Sequence, residues 1–274
     1  MTAKYTAYKN SKILILPVPF DKSSSWMKGS DNGPSAIINA SCNMELYDIE
    51  TGYEVYKKGI HTAKSIAAAS AQIMIDQVSE KVSEALTDNK FVVVLGGEHT
   101  VSLGTIRAHA AFFNNFSILH LDAHSDMRDS YEGNKLSHAS VMARAKEITE
   151  NIVSVGIRST DSSEMKNIKR ENTFYASAIR HSGQWIKNVI KKLSQNVYIT
   201  IDLDVFDSSI MPSTGTPEPG GLGWYQVLDL LEMVSRNKNI VGFDVVELCP
   251  SKYNMAPDFL AAKLIYKLLS LKFA

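Results

Sequence analysis

Short apolar runs alternate along the chain with stretches of helical period. Residues 91–95 (Phe91-Val92-Val93-Val94-Leu95) and 116–121 are apolar almost throughout, which predicts strands buried on both faces. Further strands are expected over 13–18, 152–157, 197–201 and 240–246, with a short one over 172–176. Pro34 suits the first turn of a helix that continues through Ala36, Ile37, Ile38 and Ala40. A long helix is expected over 62–86, on a stripe of Ile66, Ile73, Val78, Val82 and Leu86. Others follow over 101–112, 138–148, 162–170, 185–193, 225–234 and 259–271. Lys187, Lys191 and Lys192 mark the solvated face of the 185–193 helix. Strand–helix alternation argues for a parallel sheet with helices on both faces. With no repeat, linker or low-complexity tract, the expectation is one domain, 1–274.

Composition narrows the function classes. The 274 residues are 45% hydrophobic, and Lys+Arg and Asp+Glu both number 29, giving a net charge of zero. That balance supports neither nucleic-acid nor anionic-membrane binding. No apolar run approaches the roughly 18 residues of a membrane span, and the start lacks a signal peptide's apolar region. Cys42 and Cys249 lie far apart without metal-ligand spacing and read as thiols in a reducing compartment. A cytoplasmic protein is the expectation.

The chemistry gathers at strand ends, where open parallel sheets place their sites. Strand 116–121 runs into Asp122, His124 and Asp126, alternate positions that share a side if the chain stays extended. Strand 197–201 runs into Asp202 and Asp204, and strand 91–95 into Gly96, Gly97, Glu98 and His99. The carboxylates among these would repel one another strongly, and without compensation some would take up protons. Two divalent cations cancel the charge. Imidazole with carboxylate suits Mn²⁺, ahead of Zn²⁺, Fe²⁺ or Co²⁺. A metal pair about 3.5–4 Å apart can acidify water and deliver hydroxide. A lone Asp-x-Asp is weak evidence, since turns use it freely; the joint pattern carries the argument. His109 and His181 read as core or surface filler, and His120, inside its strand, as a core position.

The chain resembles the ureohydrolase superfamily, which includes arginase and agmatinase, and agmatinases most of all. The resemblance rests on Gly96-Gly97-Glu98-His99, Asp122-Ala123-His124-Ser125-Asp126, Ser137-His138-Ala139-Ser140-Val141-Met142, Asp202-Leu203-Asp204-Val205-Phe206-Asp207, Gly215-Thr216-Pro217-Glu218-Pro219-Gly220-Gly221 and Asp244-Val245-Val246-Glu247. It runs in collinear order over about 17–250. It implies a three-layer α/β/α fold with a central, mostly parallel, eight-stranded sheet, two Mn²⁺ per subunit, and a homotrimer or homohexamer. By position, it implies that His99 and Asp126 bind one metal, His124 and Asp204 the other, and that Asp122 and Asp202 bridge them. His138 matches the family's proton-shuttling histidine, and Glu247 the carboxylate that grips the guanidinium. The chemistry agrees: a guanidinium is always charged and pairs with a carboxylate, and a departing amine needs a proton.

The implied reaction is hydrolysis of agmatine to putrescine and urea. The segment 127–136 and Glu98 resemble agmatinases, whose substrate has no carboxylate to hold. Arginine, aminopropylagmatine and guanidinobutyrate are the alternative guanidino substrates. Asp161 falls where arginases meet the substrate's α-amino group; here it would meet a distal ammonium or simply cap the following helix. Ser208-Ser209 stands where the family often follows Asp207 with Pro. The glycines and prolines of 213–223 serve loop shape, and the loop 20–33, with Trp26, is expected at the pocket rim. A two-metal phosphoesterase is a second reading, with Arg128 and Arg158 as its nearby cations. A binding protein that retains the fold without activity is a third.

Overall fold

A computed structural model describes residues 3–180 and 183–274; His181 lies outside them. The strands are β1 (Ile13–Val18), β2 (Ile60–Thr62), β3 (Phe91–Gly96), β4 (Phe116–Leu121), β5 (Ile152–Ile157), β6 (Thr173–Tyr175), β7 (Asn196–Asp202) and β8 (Asn239–Val246). They form one eight-stranded sheet in the order β2-β1-β3-β8-β7-β4-β5-β6. Every pairing is parallel. The helices are α1 (Ala3–Thr6), α2 (Gly33–Ser41), α3 (Ala71–Thr87), α4 (Ser102–Phe112), α5 (Val141–Lys146), α6 (Ala176–Ile179), α7 (Gln184–Lys192), α8 (Trp224–Asn237) and α9 (Ala256–Phe273).

The strands' continuous hydrophobicity follows from the layers. Side chains alternate across the pleat, so Ile13, Ile15, Phe91, Val93 and Leu95 enter one core, with Ile37, Val189, Leu230 and Leu264 from α2, α7, α8 and α9. Leu14, Leu16, Val92 and Val94 enter the other, with Met74, Ile106 and Met142 from α3, α4 and α5. Both faces are covered, giving the three-layer α/β/α arrangement. Among the described residues, no helix is long and apolar enough to cross a membrane.

The long helix expected over 62–86 starts later. Ser70 caps α3, its side chain accepting the Ile73 N–H. Residues 60–62 instead join the sheet edge as β2. Ile66 therefore precedes the helix, its N–H held by the Pro17 carbonyl at 3.0 Å. Ile73 is exposed, while Met74, Ile75, Val78, Val82, Ala85 and Leu86 form the buried stripe. The helix expected over 138–148 opens with a 3-10 turn at His138–Ser140 before α5. That over 162–170 resolves into two 3-10 turns, Ser162–Lys166 and Arg170–Asn172.

Candidate metal centre

β3, β8, β7 and β4 lie side by side in the middle of the sheet, and their C-terminal ends carry the site. Beyond β3 the chain passes so close to Phe20 that a Cβ on Gly97 would sit 2.2 Å from the Phe20 carbonyl oxygen. That approach lets the Glu98 N–H donate to the same carbonyl at 2.8 Å. The 3-10 turn His99–Val101 then directs His99 over the strand ends. Past β4 the extended path ends in a bend at Ala123, where Asp122 Oδ1 accepts the His124 N–H at 2.5 Å and His124 bridges to Ser159. That path does not reach Asp126, whose φ of 53° is left-handed. Nor are Asp202 and Asp204 joined by extended chain. The Asp202 Oδ1 accepts the Asp204 N–H at 2.9 Å and starts the 3-10 turn Leu203–Val205. Alternation thus locates these residues in sequence, but turns bring the last of each set inward.

All six side chains meet. His99 Nδ1 lies 3.2 Å from Asp122 Oδ2, 3.1 Å from Asp126 Oδ2 and 3.4 Å from Asp202 Oδ2. His124 Nδ1 lies 2.9 Å from Asp204 Oδ2 and 3.7 Å from Asp122 Oδ1. Among the described residues, two groups have donor atoms close enough to share a cation: His99, His120, Asp122 and Asp126, and Asp122, His124 and Asp204. Asp122 belongs to both, one oxygen toward each.

The electrostatics of these groups demand positive charge. Burial, then the Asp204 and Asp122 carboxylates, hold the Asp202 carboxyl well above its ordinary range. Burial and Asp122 raise Asp126. Burial works to raise Asp122 as well, but His120 and His99 outweigh it and lower it. Burial disfavours the charged form of His124, yet Asp204, Asp122 and Asp126 push it up to about 11. A field that holds a proton on an imidazole this firmly also attracts a metal cation. His99 Nδ1 supplies a separate indication: it is buried and has no hydrogen-bond partner, although three carboxylates surround it. A bare imidazole nitrogen among carboxylate oxygens is a donor set for divalent metal ions, so the residues fit such cations.

Residues outside the sequence-derived set hold these donors in place. His120 donates from Nε2 to Asp122 Oδ2 at 2.7 Å, and its Nδ1 meets Ser154 Oγ at 3.1 Å. The sequence reading of His120 as a plain core position is therefore corrected: it is buried, but it supports the cluster. The available signal is its place two residues before Asp122, on the same side of the pleat. Behind His99, Nε2 meets Thr200 Oγ1 at 2.9 Å, and Thr200 donates to Asp244 Oδ1 at 2.7 Å. Tyr198 donates to Asp244 Oδ2 at 2.6 Å. With Nε2 protonated toward Thr200, Nδ1 keeps its lone pair for the cluster, the usual arrangement behind a metal-binding histidine.

A cavity of about 270 Å³ opens above the cluster, with Asp126, Asp202, Asp204, His138 and Glu247 in its walls. Glu247 is buried, takes a left-handed φ of 66°, and accepts the His99 N–H at 2.7 Å on Oε1. Burial and the neighbouring Glu98 raise its carboxyl well above the usual range. Burial lowers the His138 imidazole. Trp26, 69% exposed, stands at the rim, as expected for the 20–33 loop.

Asp161 also lines the cavity, but its Oδ1 caps the turn Ser162–Lys166, accepting Ser163 N–H at 2.9 Å in a capping box completed by Glu164. Its Oδ2 lies 3.5 Å from Arg128, which also approaches Glu164 at 3.6 Å. Arg158 is spent on backbone carbonyls of Gly156, Asp204, Phe206, Glu218 and Pro219. Of the two arginines of the phosphoesterase reading, Arg158 is thus tied to backbone, and Arg128, in the cavity wall, faces two carboxylates. Asp207 accepts the Ser209 hydroxyl at 2.5 Å and the N–H groups of Ser209, Gly220 and Gly221, which lowers its carboxyl to about 2.

A parallel α/β/α sheet with an aspartate–histidine cluster at its central strand ends defines the class. The model of the arginase family matches residues 11–270, and the chain belongs to that family. It is 35% identical to the N(1)-aminopropylagmatine ureohydrolase of Synechocystis sp., over 96% of this chain and 90% of that protein. It is 38% identical to the N(1)-aminopropylagmatine ureohydrolase of Thermus thermophilus, over 98% and 93%. The crystal structure of the agmatine ureohydrolase of Thermoplasma volcanium superposes with a TM-score of 0.89 at 33% identity, covering 99% of this chain and 95% of that one.

Proposed function

We propose that this chain is a binuclear-metal ureohydrolase that cleaves the guanidino group of N1-aminopropylagmatine to urea and the corresponding triamine, with agmatine as a shorter substrate of the same site. The agmatine reaction, giving putrescine and urea, is the sequence expectation. The two aminopropylagmatine ureohydrolases above support the longer substrate. The observation that carries the reading is that Glu247, His138 and four side chains of the cluster, His124, Asp126, Asp202 and Asp204, line one cavity.

In this reading His99 and Asp126 would hold one cation and His124 and Asp204 the other, with Asp122 and Asp202 available to both. Two Mn²⁺ ions would supply the Lewis acidity that makes water a nucleophile at neutral pH. The chain's own residues do the rest. Glu247 binds the planar guanidinium through charge-assisted hydrogen bonds, its other oxygen anchored by the His99 N–H. Because burial favours the neutral His138, its imidazole takes a proton from the attacking water and passes it to the departing amine nitrogen. Asp161, at the mouth, meets the distal ammonium through Oδ2 while its other oxygen keeps the cap. The one arginine or lysine lining the cavity that a carboxylate tail, as on arginine or guanidinobutyrate, could pair with is Arg128, which Asp161 and Glu164 already neutralise.

The expected assembly is a cytoplasmic homotrimer or homohexamer of single-domain subunits, to be checked by light scattering on the purified protein. The substrate assignment is tested by kcat/KM for urea release from aminopropylagmatine, agmatine, arginine and guanidinobutyrate, since only that ratio measures specificity. Aminopropylagmatine should lead, with agmatine next. A higher value for arginine would reject the assignment.

A further inference from the structure

His138 is held by a residue that nothing in the amino-acid pattern singles out. Ser23 lies in the loop between β1 and α2, a loop pinned by Asp21, which accepts the Gly29 N–H at 2.7 Å and the Ser24 hydroxyl at 2.5 Å. The Ser23 hydroxyl meets three groups. Its oxygen accepts the His138 backbone N–H at 3.0 Å, lies 3.1 Å from His138 Nδ1, and makes a short contact with Glu98 Oε2. Glu98 is fully buried, and its Oε2 also accepts the Ser23 backbone N–H at 2.9 Å.

A hydroxyl has one proton and two lone pairs. The Ser23 hydroxyl donates to Glu98 Oε2, the oxygen that also accepts the Ser23 backbone N–H. The Ser23 proton is therefore committed to Glu98. One lone pair takes the His138 backbone N–H. Only a lone pair is left to face Nδ1, and Nδ1 must be the donor. The imidazole is then protonated at Nδ1 and bare at Nε2. Tyr131 packs edge-on against the ring, with centroids 5.4 Å apart and planes at 72°, and holds its orientation.

We propose that Ser23, backed by Glu98, is a positioning residue that fixes the tautomer of His138, so that Nε2 is the nitrogen that takes up and delivers the proton. The catalytic part of this inference rests on the ureohydrolase reading; the tautomer does not, because a spectrum reads it without turnover. Serine proteases show how much a tautomer can matter: neutralising the carboxylate that orients their catalytic histidine leaves the wrong tautomer and costs about 10⁴-fold in kcat.

The test is heteronuclear NMR of histidine-labelled protein loaded with diamagnetic Zn²⁺, above the His138 titration, with His138→Asn to assign the signals. The wild type should show a protonated, pyrrole-type Nδ1 and a bare, pyridine-type Nε2. Ser23→Ala should mix the tautomers and lower kcat by at least about tenfold with little change in KM. Ser23→Thr, which keeps the hydroxyl, should restore both. A proton on Nε2 in the wild type would overturn the proposal, as would an unchanged tautomer in a folded Ser23→Ala variant. If His138 proved dispensable for urea release while the spectrum agreed, the ureohydrolase roles would fail and the tautomer assignment would stand.

Discussion

Glu247 Oε1 accepts the backbone N–H of His99 at 2.7 Å, across 148 positions of sequence. The same His99 turns its Nδ1 toward Asp122, Asp126 and Asp202. The residue proposed to grip the guanidinium is thus tied to one proposed to bind metal. The tie is kept although Glu247 has a φ of 66°, a conformation costing on the order of 1–3 kcal/mol for a side chain of this kind.

Glu247→Gln should leave the fold and metal content unchanged but lower kcat/KM by about 30-fold or more. Removing one partner of a buried charged contact costs roughly 2–5 kcal/mol. Steady-state kinetics alongside elemental analysis checks this. An intact kcat/KM with full metal content would remove Glu247 from substrate binding.

His120 tests the support beneath the cluster. Its hydrogen bond to Asp122 orients the carboxylate that reaches both histidine groups. His120→Asn should weaken metal affinity by about 10- to 100-fold, the usual effect of losing a partner behind a ligand. Asp122→Asn should impair both cations together. Titration calorimetry with Mn²⁺ distinguishes the two variants. Wild-type affinity in His120→Asn would show that the hydrogen bond is incidental.

Much of this is legible in the sequence, for physical reasons that differ by element. β3 announces itself because burial on both faces leaves it no polar position, and β4 because only Ser117 and His120 interrupt its apolar run. The six clustered side chains follow the strand ends, so counting from Leu95, Leu121 and Ile201 finds them. The start of α3 is illegible because 62–70 is rich in alanine and helical by propensity, while pairing of 60–62 with β1 overrides that preference. Asp161 resists assignment from sequence because the same carboxylate serves a local cap and faces a cavity assembled by distant loops. Ser23 is hidden in a serine-rich loop, and only its meeting with His138, 115 positions away, gives it meaning.

His109 makes a prediction about stability. It is fully buried, its Nδ1 faces the Thr105 carbonyl at 2.8 Å, and burial lowers its imidazole from 6.5 to about 4. The unfolded chain binds this proton below 6.5, whereas the folded chain resists until about 4. The contribution is therefore fully present above pH 6.5 and is lost as pH falls toward 4, by about 3 kcal/mol in all. His109→Gln should flatten that part of the profile, measured as the urea midpoint at a series of pH values. An unaltered profile in the variant would contradict the assignment.

The cavity mouth should separate long from short substrates. Asp161→Asn should lower kcat/KM for aminopropylagmatine more than for agmatine, because only the longer tail carries its charge so far outward. Trp26→Ala should raise KM for both, as expected of an aromatic wall at the rim. Equal effects of Asp161→Asn on the two substrates would assign Asp161 to the helix cap alone.

Every role proposed for the cavity depends on two cations at the central strand ends. Anomalous diffraction at the manganese edge from crystals grown with Mn²⁺ tests this most directly. The account predicts two peaks per chain, one beside His99 and Asp126, the other beside His124 and Asp204, with Asp122 between them. Saturating Mn²⁺ with no peak at the cluster, or a single peak away from Asp122, would contradict it.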